Sequence, residues 1–477
     1  MLINWQEWSS KAFAQAKKEQ KPVLLSISAV WCHWCHTMDK ETYSNSAVIQ
    51  EINTSFVPIR VDTDLRPDIN ERYNLGGWPT TALLYHNGTI ISGALYLPPD
   101  QLLALLAQNK EHAQKQKFYT QQQKPFQAKE KDLPHILSTF KEHVSHAYDP
   151  EYGGFGVEPK FPHPEVLLFL LEEYLTSQDK HTGDMLKKTL NSMSAGEFYD
   201  KEEGGFFRYA TQQNWTIPHF EKMLEDNAQL AEIYARAYTL FGDMHYKTIA
   251  TETITFLLSL LFDKEQSLFY GSQDADEAYC HLTKQKRKQA TIPFIDKRLF
   301  VGWNAIALHS LLTTAAHLHK PLFQTIALKG LENLLTFAKT PKGVLHCILE
   351  KKTVGPFFSK NAVLLQHVLL KAHELTGNKH YLTHARTLIS LIQKSFVQNH
   401  ILYDITKQKT IGYLTIRHSE ITSTGYFIKN LLTLATLTKQ QSYKKQAKNL
   451  LLQSAQNATQ GIFGAVLARA IKAFLYL

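Results

Sequence analysis

Cys32 and Cys35 are two of only four cysteines in 477 residues. They stand in the run Ser26-Ile27-Ser28-Ala29-Val30-Trp31-Cys32-His33-Trp34-Cys35. A pair at this spacing, in a chain too poor in cysteine for a disulfide framework, points to redox chemistry or metal binding. The apolar run from Pro22 to Ser28 reads as a strand and the residues after Cys32 as a helix, so the pair opens a helix. Backbone N–H groups and the helix dipole at such a start favour a thiolate and lower the pKa of Cys32. A charged His33 acts in the same direction, and Cys35, one turn further in, is placed to resolve a mixed disulfide. Two other readings compete. Cys32, His33, Cys35 and His36 are residue types that ligate zinc, but four ligands within five residues are hard to wrap around one tetrahedral ion. We therefore expect neither a metal nor another cofactor. The remaining reading is a degenerate module used only for docking. Cys280 and Cys347 stand alone and read as structural thiols.

The elements that must position this pair follow from hydrophobic periodicity. Trp5 to Gln20 reads as an amphipathic helix, and a second helical stretch runs from the cysteines to about Asn53. Strands are expected at Phe56–Val61, Thr81–His86 and Thr89–Gly93, the last two joined by the hairpin signal Asn87-Gly88. Leu102 to Leu106 begins a closing helix. Gly76-Gly77-Trp78-Pro79-Thr80 precedes the third strand. This is where a thioredoxin-like α/β fold carries a cis proline beside its redox pair, so Pro79 joins the candidate catalytic residues and Trp78 the substrate contacts. The expected domain covers residues 1–111, and the Gln- and Lys-rich stretch 112–132 is read as a linker because it cannot support a core.

Residues 133–477 read as helical and repetitive. Glycine-aromatic connections recur at Gly153-Gly154-Phe155-Gly156, Gly204-Gly205-Phe206, Leu268-Phe269-Tyr270-Gly271, Gly343-Val344-Leu345, Ile401-Leu402-Tyr403 and Gly461-Ile462-Phe463-Gly464. They alternate with short polar connections such as Phe241–Tyr246, Thr376–Tyr381 and Thr438–Tyr443. About twelve helices, or six hairpins, fit between these markers, as a ring of repeats requires. The predicted architecture is an all-α (α/α)6 toroid with all glycine-aromatic loops on one rim.

Hydrophobic residues make up 44% and charged residues 20% of the chain, normal for globular domains. The net charge of +9 is scattered through modest basic runs without interleaved aromatics, which argues against nucleic acid as a partner. No run is long enough for a membrane span, and the first residues lack a secretory pattern, so a cytoplasmic location is expected.

With Glu41, Val61-Asp62 and Arg66-Pro67-Asp68 added, the cysteine and Gly-Gly-Trp-Pro motifs resemble the spermatogenesis-associated protein 20 family, also called YyaL-like. The helical half agrees through Pro159-Lys160-Phe161-Pro162, Gly204-Gly205-Phe206-Phe207-Arg208-Tyr209, Trp215, the run Pro218 to Leu230, Asp274-Ala275-Asp276 and Trp303-Asn304. The resemblance covers residues 1 to about 310 by motif and the rest by pattern. It implies a thioredoxin-like domain fused to a six-hairpin glycosidase-like toroid, whose relatives include sugar epimerases and glycoside hydrolases. This chain departs from the family in a short segment between Asp276 and Trp303 and a trimmed stretch before Gly76. It also departs at Glu225, where tyrosine is usual, and at Lys360-Asn361, where an Asp-Tyr pair is common.

The rim loops collect residues suited to a sugar. His219 is the candidate proton-transferring base of an epimerase. Asp226 with Asp274 or Asp276 is the candidate pair of a hydrolase. Lys160, Arg208, Trp215, Glu221, Asp274, Asp276, Trp303 and Asn304 are candidate substrate contacts. The preferred expectation is thiol–disulfide oxidoreduction coupled to a carbohydrate-binding or carbohydrate-processing toroid, with a protein thiol and a sugar as partners. One alternative is a sugar epimerase or hydrolase with a structural thioredoxin-like domain. The other is a non-catalytic binding protein.

Overall fold

The structure, a computed structural model, describes residues 2–110, 127–349, 352–354, 356–407 and 410–477. The chain forms two compact units. One combines Met1–Lys124 with Lys407–Arg417, and the other combines Pro125–Thr406 with His418–Leu477. Most of the expected linker, 112–126, lies outside the described residues. Its remainder holds one 3-10 turn, Glu130–Asp132.

In the first unit the elements run α1 (Ser10–Glu19), β1 (Val23–Ser28), α2 (His33–Glu41), α3 (Ser46–Ser55), β2 (Val57–Asp62), α4 (Pro67–Tyr73), β3 (Thr80–Leu84), β4 (Ile90–Ala94) and α5 (Pro99–Asn109). The sheet order is β2-β1-β3-β4, with β1 parallel to β2 and antiparallel to β3. Strand β1 is apolar along most of its length because helices cover both faces. Leu24, Met38, Val48, Ile52, Leu83, Leu102 and Leu106 form one of its cores.

Local chemistry moves two expected boundaries. The first helix starts at Ser10 because the Ser9 hydroxyl accepts the Ala12 N–H and caps it there. The helical stretch expected up to Asn53 is two helices, since the Asn45 side chain accepts from Ala47 and Val48 and starts a second one. Segment Lys407–Arg417 adds the 3-10 turn Gly412–Thr415 to this unit. Arg72 holds it, donating from Nη2 to the Ile416 carbonyl at 2.8 Å and from Nε to the Tyr413 carbonyl at 3.2 Å.

The second unit contains twelve helices longer than ten residues among the described residues. They are α6 (Leu133–Ala147), α7 (Pro164–Ser177), α8 (Lys180–Ala195), α9 (Leu224–Phe241), α10 (Met244–Leu260), α11 (Val301–Leu318), α12 (Pro321–Ala338), α13 (Ser359–Thr376), α14 (Lys379–Phe396), α15 (Ile421–Thr438), α16 (Gln441–Ser454) and α17 (Ala465–Leu475). Odd-numbered helices pack in the order α7–α9–α11–α13–α15–α17 and back to α7, and each even-numbered helix pairs outside with an odd one, α6 with α17. This is the (α/α)6 toroid.

Inner and outer positions are visible in composition. Inner α11 buries 14 of its 18 residues and outer α12 only seven of 18. Ions close the ring. Arg469 of α17 pairs with Glu165 and, at 2.8 Å, with Glu172 of α7, while Lys472 meets Glu173 at 2.7 Å.

Each inner-to-outer connection between α7 and α16 has two residues, the first with positive φ: Gln178, Gly242, His319, Gly377 and Lys439. All outer-to-inner connections are longer and carry the glycine-aromatic motifs; the four between α8 and α15 also carry short β pairs, and the one before α17 carries two 3-10 turns. Antiparallel alternation of the helices puts those longer loops on one rim, as expected. No helix among the described residues is long and apolar enough to cross a membrane.

Candidate functional site

Cys32 is the N-cap of α2. Its Sγ accepts the Cys35 N–H at 3.2 Å, and its carbonyl accepts the Cys35 and His36 N–H groups. Cys32 and Cys35 are disulfide-bonded, with Cα atoms 5.2 Å apart. Both are buried, while the intervening His33 and Trp34 are exposed. The His36 imidazole is turned to the Val30 carbonyl at 2.7 Å. Among the described residues no group of three or more His, Cys, Asp or Glu is arranged to hold a metal.

Trp31, just before the pair, packs edge-on against Trp78 at 5.4 Å and donates to Asp64 at 2.8 Å. Trp78 donates in turn to Asn70 at 3.0 Å, and its peptide bond to Pro79 is cis. The Gly76-Gly77 turn is held by the Asn74 side chain, which accepts both N–H groups. The fold therefore brings the Gly-Gly-Trp-Pro loop to the cysteine motif through two tryptophans.

On the toroid rim, the loop before α9 brings together several of the predicted residues. The His219 ring stacks on Tyr209 at 4.4 Å, Tyr209 stacks on Phe161 at 4.8 Å, and the Arg208 guanidinium lies over Tyr209. Glu221 faces His219 Nδ1 at 3.8 Å. The Glu221 carboxylate is buried, and its Oε2 has no hydrogen-bond partner among the described residues. Asp226, in the first turn of α9, is pushed up to about 7 by burial and then by neighbouring Glu225, against the opposing pull of Arg208 and Lys360. His163, at the start of α7, is held down to about 4 by burial and by Lys160.

Other predicted residues lie elsewhere. Lys160 is wholly buried, donating to Asp149 at 2.5 Å and to the Gly156 carbonyl at 2.9 Å. Trp215 is also fully buried, against Phe198, and donates to the Tyr152 carbonyl at 3.1 Å. Asn304 is wholly buried and clamps a loop: it accepts the Phe269 N–H at 2.7 Å and donates to the Phe269 and Phe300 carbonyls. These three, expected as substrate contacts, are closed inside the protein and hold the rim loops in place. Asp276 caps the short helix Glu277–Cys280, Asp274 accepts the Ala275 N–H, and Trp303 packs on Phe300.

Sequence reasoning missed a polar layer at mid-ring. Glu172, Glu232, His309, His367 and Lys429 are each the ninth residue of their inner helix. His309 and His367 stack at 4.3 Å, and Glu232 faces His309 Nδ1 at 3.4 Å. Their common position in successive repeats was the available signal.

Residues 2–138 match the family model Thioredox_DsbH, described as a protein of unknown function, DUF255. Human spermatogenesis-associated protein 20 is 33% identical over 307 residues, covering 57% of this chain and 39% of that protein. An uncharacterised protein of Caenorhabditis elegans is 33% identical over 314 residues, covering 60% and 43%. The chain is thus similar to spermatogenesis-associated protein 20 over somewhat more than half of its length. It spans about two fifths of the length of the curated relatives it matches. Its toroid has the fold of sugar enzymes. A D-mannose isomerase superposes with a TM-score of 0.58 at 12% identity, covering 73% of this chain and 98% of that one. A sugar epimerase from a ruminal bacterium superposes at 0.55 with 13% identity, covering 67% and 85%.

Proposed function

We propose that this protein carries out thiol–disulfide exchange through Cys32 and Cys35. The observation that supports the reading is the position of Cys32. It caps α2 with its sulfur on the Cys35 N–H, so the reduced thiolate gains both a hydrogen bond and the helix dipole.

In the reductive direction the Cys32 thiolate attacks one sulfur of a partner disulfide, forming a mixed disulfide and releasing a partner thiolate. The Cys35 thiolate then attacks the Cys32 sulfur, which restores the Cys32–Cys35 bond and releases the second partner thiol. Two electrons pass to the partner. Exposed Trp34, with Trp78 and Pro79 on the neighbouring loop, supplies the contact for the partner polypeptide. This chemistry suits a reducing compartment such as the cytosol.

Thiol trapping across glutathione poises tests it. A reversible two-electron transition between about −270 and −180 mV is expected. No disulfide at any poise defeats the oxidoreductase reading, and partner capture by Cys35→Ser without turnover leaves a docking role.

A second reading concerns the rim and is favoured by the Phe161–Tyr209–His219 stack. Such an aromatic face suits the C–H face of a sugar, with Arg208, Glu221 and Asp226 beside it for hydroxyl groups. His219, with the Glu221 carboxylate 3.8 Å from its Nδ1, is the proposed proton-transferring base. Solvent deuterium incorporation into reducing sugars, lost in His219→Ala, is the expected result. Binding without exchange reduces the rim to a sugar-recognition surface, and absence of both removes the reading.

A further inference from the structure

The end of the toroid remote from the rim, formed by the C-terminal halves of the inner helices, holds a cavity of about 320 Å³. Leu171 and Leu175 of α7 and Leu240 of α9 supply apolar walls, and Glu172, Arg236, Thr239 and His317 supply the polar ones. Leu175 is 64% exposed and marks the mouth. The volume is at the lower end for small-molecule sites, which pair mostly apolar walls with a few placed polar groups.

The polar wall carries both signs, Glu172 and Arg236. Glu172 is fully engaged: Arg469 donates to it from Nη2 at 2.8 Å and Nε at 3.1 Å, and Lys429 donates at 3.0 Å. Those cations hold its carboxyl well below the usual range despite burial. Arg236 meets Glu232 through one nitrogen, Nη2, at 2.9 Å. Glu232 in turn is shared with the Ser310 hydroxyl at 2.9 Å and with His309. Arg236 Nε has no hydrogen-bond acceptor among the described residues. Nε itself is buried, and Arg236 keeps about a quarter of its side chain exposed, with only Nη2 on a carboxylate, at the wall of a cavity. His317, bonded to the Thr239 hydroxyl at 2.9 Å, is held below its ordinary value by burial and by Arg236. Lys371 contributes further positive potential near His309 and His317. An incompletely paired guanidinium beside three leucines is complementary to a molecule with an anionic head and a short apolar tail.

We propose that this cavity binds a small amphipathic monocarboxylate, its carboxylate on Arg236 and its tail along Leu171, Leu175 and Leu240. The site is separate from the rim and does not depend on the redox pair.

Calorimetric titration of the full chain with octanoate, octanol and octylamine tests it. Octanoate is expected to bind about tenfold more tightly than octanol, and octylamine not to bind, because one charged hydrogen-bonded contact is worth about that factor. Arg236→Gln should erase the difference between octanoate and octanol. Leu175→Trp, which changes no charge, should fill the mouth and weaken both, keeping the test open if the first variant fails to fold. Equal binding of octanoate and octanol by the wild type, no binding of octanoate, or indifference to Leu175→Trp would each overturn the proposal.

Discussion

Glu225 and Lys360, 135 residues apart, form an ion pair at 3.1 Å across the toroid rim. Both are positions where the sequence departs from the pattern of the resemblance, and their opposite charges meet. Glu225 introduces a charge at the start of α9, and Lys360 at the start of α13 neutralises it. Asp226 sits beside the pair and feels both partners.

Removing Lys360 should therefore disturb Asp226 more than it disturbs the fold. The pair is partly exposed, so Lys360→Met is expected to cost no more than about 1 kcal/mol. Glu225 would then act on Asp226 unopposed by Lys360, and the Asp226 carboxyl should titrate at higher pH than in the wild type. Carboxyl carbon shifts in an NMR pH titration measure this directly. An unchanged titration would show that Lys360 does not act on Asp226, and a downward move would reverse the assigned sign.

Asp226 also gives the fold a pH dependence of defined sign. Its carboxyl moves from an ordinary 3.8 to about 7 in the folded state. Between those values the unfolded chain has lost this proton and the native state keeps it. The native state thus binds more protons, and stability falls as pH rises from about 4 to about 7. The full move corresponds to about 4 kcal/mol. Because Asp226 keeps part of its surface in solvent, about half of that is the expected effect. Asp226→Asn should match the wild type below pH 4 and be more stable by about 2 kcal/mol above pH 7, as read from denaturant midpoints across the range.

What could be read from sequence was local. The cysteine pair lies where a strand hands over to a helix, and both the strand pattern and the helix start are written within about ten residues of it. The toroid was legible because its loops repeat, so each glycine-aromatic marker supported the next. The break between α2 and α3 was missed because one side chain, Asn45, decides it by capping. The rim stack was missed because Phe161 and His219 meet through Tyr209 only after two loops fold together. Asn304 was misplaced for a related reason, since a polar residue beside Trp303 reads as a ligand contact until its three backbone partners are seen.

Those partners make Asn304 a stability residue with a twin. Asn227 in α9 accepts the Phe206 N–H and donates to the Phe206 and Met223 carbonyls, as Asn304 in α11 does for Phe269 and Phe300. Each is the fourth residue of its helix and is followed by alanine, a repeated Asn-Ala signature. Asn304→Ala leaves buried backbone groups without partners and should cost about 3 kcal/mol. Differential scanning calorimetry of the toroid transition reads this, with the Cys32–Cys35 redox transition expected to be unchanged. A sugar-dependent phenotype without a shift in the transition would return Asn304 to the ligand contacts.

Tyr73 plays the comparable part in the first unit. Its hydroxyl donates to the Gly88 carbonyl at 2.7 Å and accepts the Tyr413 N–H at 2.8 Å, with the two tyrosine rings 5.1 Å apart. Burial raises its pKa far above neutral, so the hydroxyl stays protonated and can make both bonds. Gly412, at φ +63°, lies so close that a side-chain carbon there would collide with the Tyr73 hydroxyl. Tyr73→Phe removes one oxygen and leaves a buried carbonyl and a partly buried N–H without this partner, a cost of about 2 kcal/mol. The loss should be confined to the hairpin turn and the 3-10 turn. Amide hydrogen exchange at Tyr413 is expected to quicken by at least about tenfold, while α2 keeps its protection. Unchanged exchange at Tyr413 would mean that Arg72, through its bonds to the Tyr413 and Ile416 carbonyls, holds the segment without help from Tyr73.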